Sequence, residues 1–164
     1  MGPPPGVGSR SRAGEAARDL GGGRASGARP ILLATLDVPF DERAVAFAVD
    51  SAVETGQPLL VVNVAEVLLA PWALLGWGYV ERDELQDDLR RPAELARSLT
   101  VPVERVRLLS PHPIDALVDI AAERSPSVLV FGPDPSLLRR RTYRRATKRI
   151  LDRVACLVWL AEPD

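Results

Sequence analysis

The sequence predicts an α/β fold, a doubly wound and mostly parallel five-stranded sheet with helices on both faces. Three observations carry that prediction. Val128–Phe131 and Cys156–Ala161 are apolar at every position without alternation, and strands of that kind need cover on both faces, as a parallel sheet flanked by helices provides. Between them, Tyr143, Ala146, Ile150, Leu151 and Val154 fall on one arc of a helical wheel while Arg144, Arg145, Lys148, Arg149 and Arg153 take the opposite arc. Strand-like and helix-like segments also alternate strictly along the chain, the pattern of βαβ units.

The elements follow in order. Ile31–Leu36 is the first strand, Asp37-Val38-Pro39-Phe40 turns, and Asp41 stands where it caps a helix from Glu42 to Thr55. Val45, Ala48, Val49, Ala52 and Val53 form the expected buried stripe of that helix, and Gly56 is its natural stop. Leu59–Val64 is the second strand, which completes a βαβ unit. From Leu59 to Val80 the only charge is Glu66, a run about as long as a membrane span. Asn63, Pro71, Gly76 and Gly78 interrupt it, and its first half fits a core strand, so no membrane span is expected. The second half, with Trp72, Trp77 and Tyr79, reads as an apolar connection that folds onto the core or meets a partner. Glu81–Leu99 is helical, with Leu85, Leu89, Leu95, Ala96 and Leu99 on one side and a kink or break expected near Arg91 because of Pro92. Val101–Leu109 mixes apolar residues with Glu104, Arg105 and Arg107, as an edge strand does. Pro113 then opens a helix whose core positions are Ile114, Leu117, Val118 and Ala121, and which delivers the chain to Val128.

Composition narrows what the chain does. At 164 residues with 46% hydrophobic content it is one domain long with a sizeable core. A net charge of −1 gives no global attraction to nucleic acid or to an anionic membrane, so an electrostatic partner must read a local patch. Cys156 is the only cysteine and His112 the only histidine. The first excludes an internal disulfide and reads as a small buried hydrophobe in a reducing compartment. The second sits between Pro111 and Pro113, a poor place for a catalytic base, and together they cannot make the usual structural zinc set. Residues 1–29 hold most of the glycines, with prolines and arginines and no apolar periodicity, which predicts a disordered tail before a domain spanning 30–164. The tail lacks the apolar core of a secretory signal, so a cytoplasmic location is expected.

Taken together, ILLATLDVPFDERAVAFAVDSA, LLVVNV, PHPIDALVDIAAERSPSVLVFG and the last strand around Cys156–Leu160 resemble, in order and spacing, the universal stress protein family of the UspA type. The resemblance covers about residues 30–162. It implies a non-catalytic binding or regulatory module in stress response, a homodimer paired through the last strand, and a nucleotide site beyond the strands' carboxyl ends. Carried onto this sequence, that site would draw on Thr35, Asp37, Val64, Gly132, Asp134, Arg144 and Arg145. Nucleotide-binding members of the family share three spaced glycines after the fourth strand, which let backbone amides approach phosphates. Here Gly132 keeps the first, Pro135 takes the second, and Arg144 or Arg145 falls on the third. The family's aspartate on the first strand falls on Leu36, with Asp37 one place late, and the glycine before the third helix has become Pro111. These departures predict weak or lost ATP binding and no required cofactor. An ATP-binding switch with a remodelled phosphate loop is the alternative.

The basic run from Arg139 to Arg153 reads either as a solvated helix face or as an anion site, with arginine side chains replacing glycine amides. A nucleic-acid partner is not expected, since only Tyr143 offers a stacking surface there, whereas a protein partner fits. Asp37, Asp41 and Asp134 could converge as acid and base, yet Asp41 is accounted for by capping and Asp134 by its turn.

Overall fold

The computed structural model describes residues 28–67 and 83–161. The tail up to Gly27 and the apolar connection carrying Trp72, Trp77 and Tyr79 lie outside the described residues, as does the Leu85 side chain. The elements are β1 (Ile31–Thr35), α1 (Glu42–Thr55), β2 (Leu59–Glu66), α2 (Asp83–Ser98), β3 (Val103–Ser110), α3 (Pro113–Arg124), β4 (Val128–Phe131), α4 (Arg140–Arg153) and β5 (Leu157–Leu160). All strand pairs are parallel and the order across the sheet is β3-β2-β1-β4-β5. The chain therefore starts in the middle, winds outward to β3, and crosses back over β1 to β4. Among the described residues no helix is long and apolar enough to cross a membrane.

Why the central strands carry no polar alternation is visible in the core. Ile31 and Leu33 of β1, with Leu59 and Val61 of β2, pack under α1 and α2 against Ala48, Val49, Leu89 and Ala96. Their neighbours Leu32, Ala34, Leu60, Val62 and Val64 face α3 and α4 and meet Leu117, Val118, Ala146 and Ile150. Both faces are covered, so both parities must be apolar. Local signals start and stop the helices as expected. The Asp41 side chain accepts hydrogen bonds from the Arg43 and Ala44 amides at 2.9 and 3.1 Å, and Gly56 ends α1 in the left-handed region at φ 66°. Arg29 anchors the start of the described chain, donating to the carbonyl oxygens of Ser125 and Pro126.

Four expectations are corrected. Val53 of α1, Leu95 and Leu99 of or beside α2, and Leu151 of α4 are exposed, because each helix lies on the sheet along a narrower stripe than the wheel suggests. In α2 that stripe is Leu89, Ala93 and Ala96. Pro92 does not break α2, which is one helix from Asp83 to Ser98 with the proline inside it. Packing of the stripe on the sheet carries the helix past the one hydrogen bond proline cannot make. The run from Cys156 to Ala161 is not buried on both faces: β5 is an edge strand, and Leu157 is 66% exposed. Cys156 is accordingly half-buried, and burial raises its thiol pKa above the ordinary value.

The loops that leave β1 and β4 are clasped to each other. The Asp41 amide donates to the Gly132 carbonyl at 3.0 Å, the Gly132 amide to Ala34 at 3.0 Å, and the Asp134 amide to Pro39 at 2.8 Å. Phe40 and Pro133 form an antiparallel bridge between them. Gly132 is a point of close approach between them, for a Cβ there would overlap the Cβ of Ala44. We expect Gly132→Ala to destabilise the fold by about 1–3 kcal/mol through this overlap. Adding Ala44→Gly should recover part of the loss, less the helix cost of about 1 kcal/mol. Urea denaturation of the single and double variants checks it; an additive double variant would contradict the contact.

Candidate functional site

Beyond the carboxyl ends of β1 and β2 lies a cavity of about 830 Å³. Leu36 and Val64, on the sheet face that α3 and α4 cover, line it together with Asp37 and Glu66. The start of α3 contributes His112, Ile114 and Asp115, and the approach to and first turns of α4 contribute Leu138, Arg139, Arg141, Thr142 and Arg145. In open α/β sheets this is the end where ligands bind, and here it sits beside the point where the chain reverses from β2 and β3 to β4 and β5.

Of the residues expected from sequence, the cavity brings together Asp37, Val64 and Arg145. The other four lie elsewhere. Thr35 is fully buried among the β1 residues and its hydroxyl donates to the Val38 carbonyl at 2.9 Å. Gly132 is filled by its contact with Ala44. Asp134 is occupied by its own turn, accepting from the Ser136 amide at 2.8 Å and the Ser136 hydroxyl at 2.6 Å. Arg144 is exposed and does not line the cavity.

The segment after β4 leaves almost nothing for a phosphate to bond. Gly132 and Asp134 spend their amides on the clasp, and Ser136, Leu137 and Leu138 direct theirs to Asp134. Pro133 and Pro135 have none to give. From residue 132 to 138 every backbone donor is used.

Cations stand where amides do not. Arg139, Arg141 and Arg145 line the cavity without an ion pair or side-chain hydrogen bond to another described residue, whereas Arg149 grips Asp115 at 2.8 and 2.9 Å and Arg124 grips Glu104. α4 has neither a side-chain cap nor an acidic residue in its first turn. Arg139 and Arg141 were legible as part of a basic run but not as cavity residues. The signal was available, since Arg141 and Arg145 are four apart and share a helix face. Glu66 and the lining role of His112 had no signal in the sequence. Among the described residues no cluster of His, Cys, Asp and Glu could hold a metal ion.

Behind the cavity, Asn63 fixes the turn that presents Asp37. Asn63 is fully buried on β2, and its Oδ1 accepts the Asp37 amide at 2.9 Å while Nδ2 has no hydrogen-bond partner among the described residues. Asp37 holds a left-handed backbone at φ 52°, uncommon for a residue with a side chain. Across the strands, Asn63 is in register with Thr35, whose hydroxyl ties the same turn one residue further on.

The family model for the universal stress protein family matches residues 27–161. Among solved structures, the chain is similar to a protein from the universal stress protein family of Burkholderia pseudomallei, at TM-score 0.59 and 19% identity over 85% of this chain and 99% of that one. It is similar to UspA from Lactobacillus plantarum, at TM-score 0.56 and 17% identity over 82% and 99%. A universal stress protein from Archaeoglobus fulgidus in complex with dAMP aligns at TM-score 0.54 and 18% identity over 80% and 98%. At these identities the likeness concerns the fold. No curated protein matches.

We expect Asn63→Leu to leave stability within about 1.5 kcal/mol of the parent, since it removes the orphaned Nδ2 along with the bond to Asp37. The turn should loosen instead. Hydrogen exchange at the Asp37 amide reads this directly, and unchanged protection there would show that the turn is held by other contacts.

Proposed function

The chain belongs to the universal stress protein family, and from that premise we propose that it is a non-catalytic binding and regulatory module of the stress response that holds ATP weakly or not at all. The observation that carries this reading is the closed segment from Gly132 to Leu138, whose backbone donors are all consumed by the clasp and by Asp134. A nucleotide whose phosphates rest on loop amides has no such amides here. Three or four charge-assisted hydrogen bonds of about 1.5–3 kcal/mol each account for a large share of micromolar affinity, which amounts to about 8 kcal/mol. Leu36, buried at the cavity floor, supplies no polar group in place of the aspartate that the family resemblance implies. One observation favours the second reading, a nucleotide switch with a remodelled loop: the arginines that line the same cavity. The dAMP held by the Archaeoglobus fulgidus relative indicates the kind of ligand such a switch would take.

Calorimetric titration of magnesium ATP into the full chain tests the choice. We expect no saturable heat below about millimolar concentration. A low-micromolar dissociation constant would overturn the reading in favour of the switch.

The partner in this proposal is a second copy of the chain, paired through β5. Support comes from its place at the sheet edge and from Leu157, which an isolated subunit leaves exposed. Trp159 is unsuited to a test because it stacks on Phe47 at 5.1 Å and packs against the core. Leu157→Lys spares that packing. The parent should sediment as a dimer and the variant as a monomer; a parent that is monomeric throughout the concentration series removes the proposal. A cytoplasmic location belongs to the same proposal and rests on Cys156 being an unpaired thiol.

A further inference from the structure

We propose that the outward face of α4 docks an acidic helix of another protein, with Arg140, Arg144 and Lys148 pairing with carboxylates spaced four residues apart and Leu151 meeting an apolar side chain at the end of the row. The inference rests on reading the chain as a binding module, and it names the chemistry of the partner.

The geometry makes the first part of the argument. On a helical wheel Arg140, Arg144, Lys148 and Leu151 fall within an arc of about 80°, opposite Ala146 and Ile150, which are buried against the sheet. All four are exposed, Leu151 at 56%. From Arg140 to Lys148 the row runs along the helix for about 12 Å. Its cations pair with no described carboxylate, whereas on the flank toward α3 Arg149 and Arg153 approach Asp115 at 2.8 and 4.0 Å. The helix thus has a counter-ion on the side that meets its own fold and none on the side that faces outward.

That arrangement is costly in the free chain. Like charges four residues apart on a helix repel, and Arg140, Arg144 and Lys148 form two such pairs in succession. α4 also opens on arginines with no acid in its first turn, although the amino end of a helix disfavours cations. Its single acid, Asp152, stands four residues past Lys148, in the less favourable order for such a pair. α2 shows the ordinary solution, with Arg90 at 3.5 Å from Asp87 and 4.0 Å from Glu94. A facing row of carboxylates removes the repulsion that the folded chain otherwise bears.

The surroundings of the row select the class of partner. The one aromatic ring on α4, Tyr143, is turned inward: it stacks on Phe131 at 5.8 Å, and its hydroxyl donates to the Ala161 carbonyl at 2.6 Å. α4 therefore offers no base-stacking platform beside its cations. Its apolar side is spent on the sheet, so the helix cannot sink that side into a lipid interface. A net charge of −1 gives the whole chain no long-range pull on a nucleic acid or an anionic bilayer. What remains is a short cationic row with a leucine in its arc. A helix bearing carboxylates at matching intervals beside an apolar side chain complements it.

The test titrates the full chain into a fluorescently labelled helical peptide and reads its anisotropy. The peptide carries glutamates four residues apart along one face, with a leucine beyond each end of the row; a shuffled peptide of the same composition spreads them around the helix. We expect saturable binding of the first, about tenfold or more tighter than of the second, and weakening steeply as salt rises. Arg140→Glu, Arg144→Glu and Lys148→Glu should each weaken it about tenfold or more, and Arg97→Glu, exposed in the last turn of α2, should not. A peptide with lysines in place of the glutamates should bind the chain carrying all three reversals and not the parent. Without peptide, Arg144→Gln should melt at or above the parent temperature, because it relieves repulsion on both sides. The proposal is overturned if the two peptides bind alike or not at all, or if Arg144→Gln melts lower, which would make the row structural. Duplex DNA or phosphatidylserine vesicles binding through the same three residues more tightly than the peptide would also overturn it. The ATP titration keeps the two readings apart. Tight ATP binding beside peptide binding overturns only the weak-ATP reading, and a failed peptide beside weak ATP binding overturns only the docking surface.

Discussion

The close approach of Gly132 to Ala44 is the constraint on which the rest of the ligand end depends. It lets the loop after β4 lie against the first turn of α1, and the backbone bonds from Asp41, Gly132 and Asp134 then join the two loops. Once joined, that loop has no amides left. A glycine that reads as a phosphate contact in the sequence is therefore a packing glycine, and the loop from Gly132 to Leu138 offers the cavity no free backbone donor.

How much of this was legible varies with the physics involved. Strand and helix boundaries rest on local signals, and these were readable: Asp41 at a cap, Gly56 at a stop, Pro113 at a helix start. Burial is a property of the assembled layers. Nothing local distinguishes Leu157 on an edge from Leu129 in the interior, since both lie in uniformly apolar runs and only the strand order separates them. Asn63 shows the same limit from the other side, for a polar residue inside an apolar strand reads as an interruption until the turn it holds is seen.

The cavity illustrates how parity governs a site. Leu36, Val64 and Glu66 share the sheet face that α3 and α4 cover, whereas Thr35 and Asn63 belong to the opposite parity and support the turn from behind. A register shift of one residue would exchange these roles. Asp37, just past the end of β1 and in a left-handed backbone conformation, borders the cavity beside Leu36, Val64 and Glu66.

The order of strands also has a consequence for how the chain is made. β1 leaves the ribosome before the other four strands of the sheet, and it pairs on one side with β2, only a helix away, but on the other with β4, Ile31 meeting Val128. Until most of the domain has been synthesised, the strand at the centre of the finished sheet is an open edge. The nascent half formed by β1, α1 and β2 can collapse early, while the β4 side waits on distant closure, which is the slow kind of contact. The most buried strand of the mature protein is thus the one exposed longest during its birth, and the period of greatest aggregation risk lies between the emergence of β2 and that of β4.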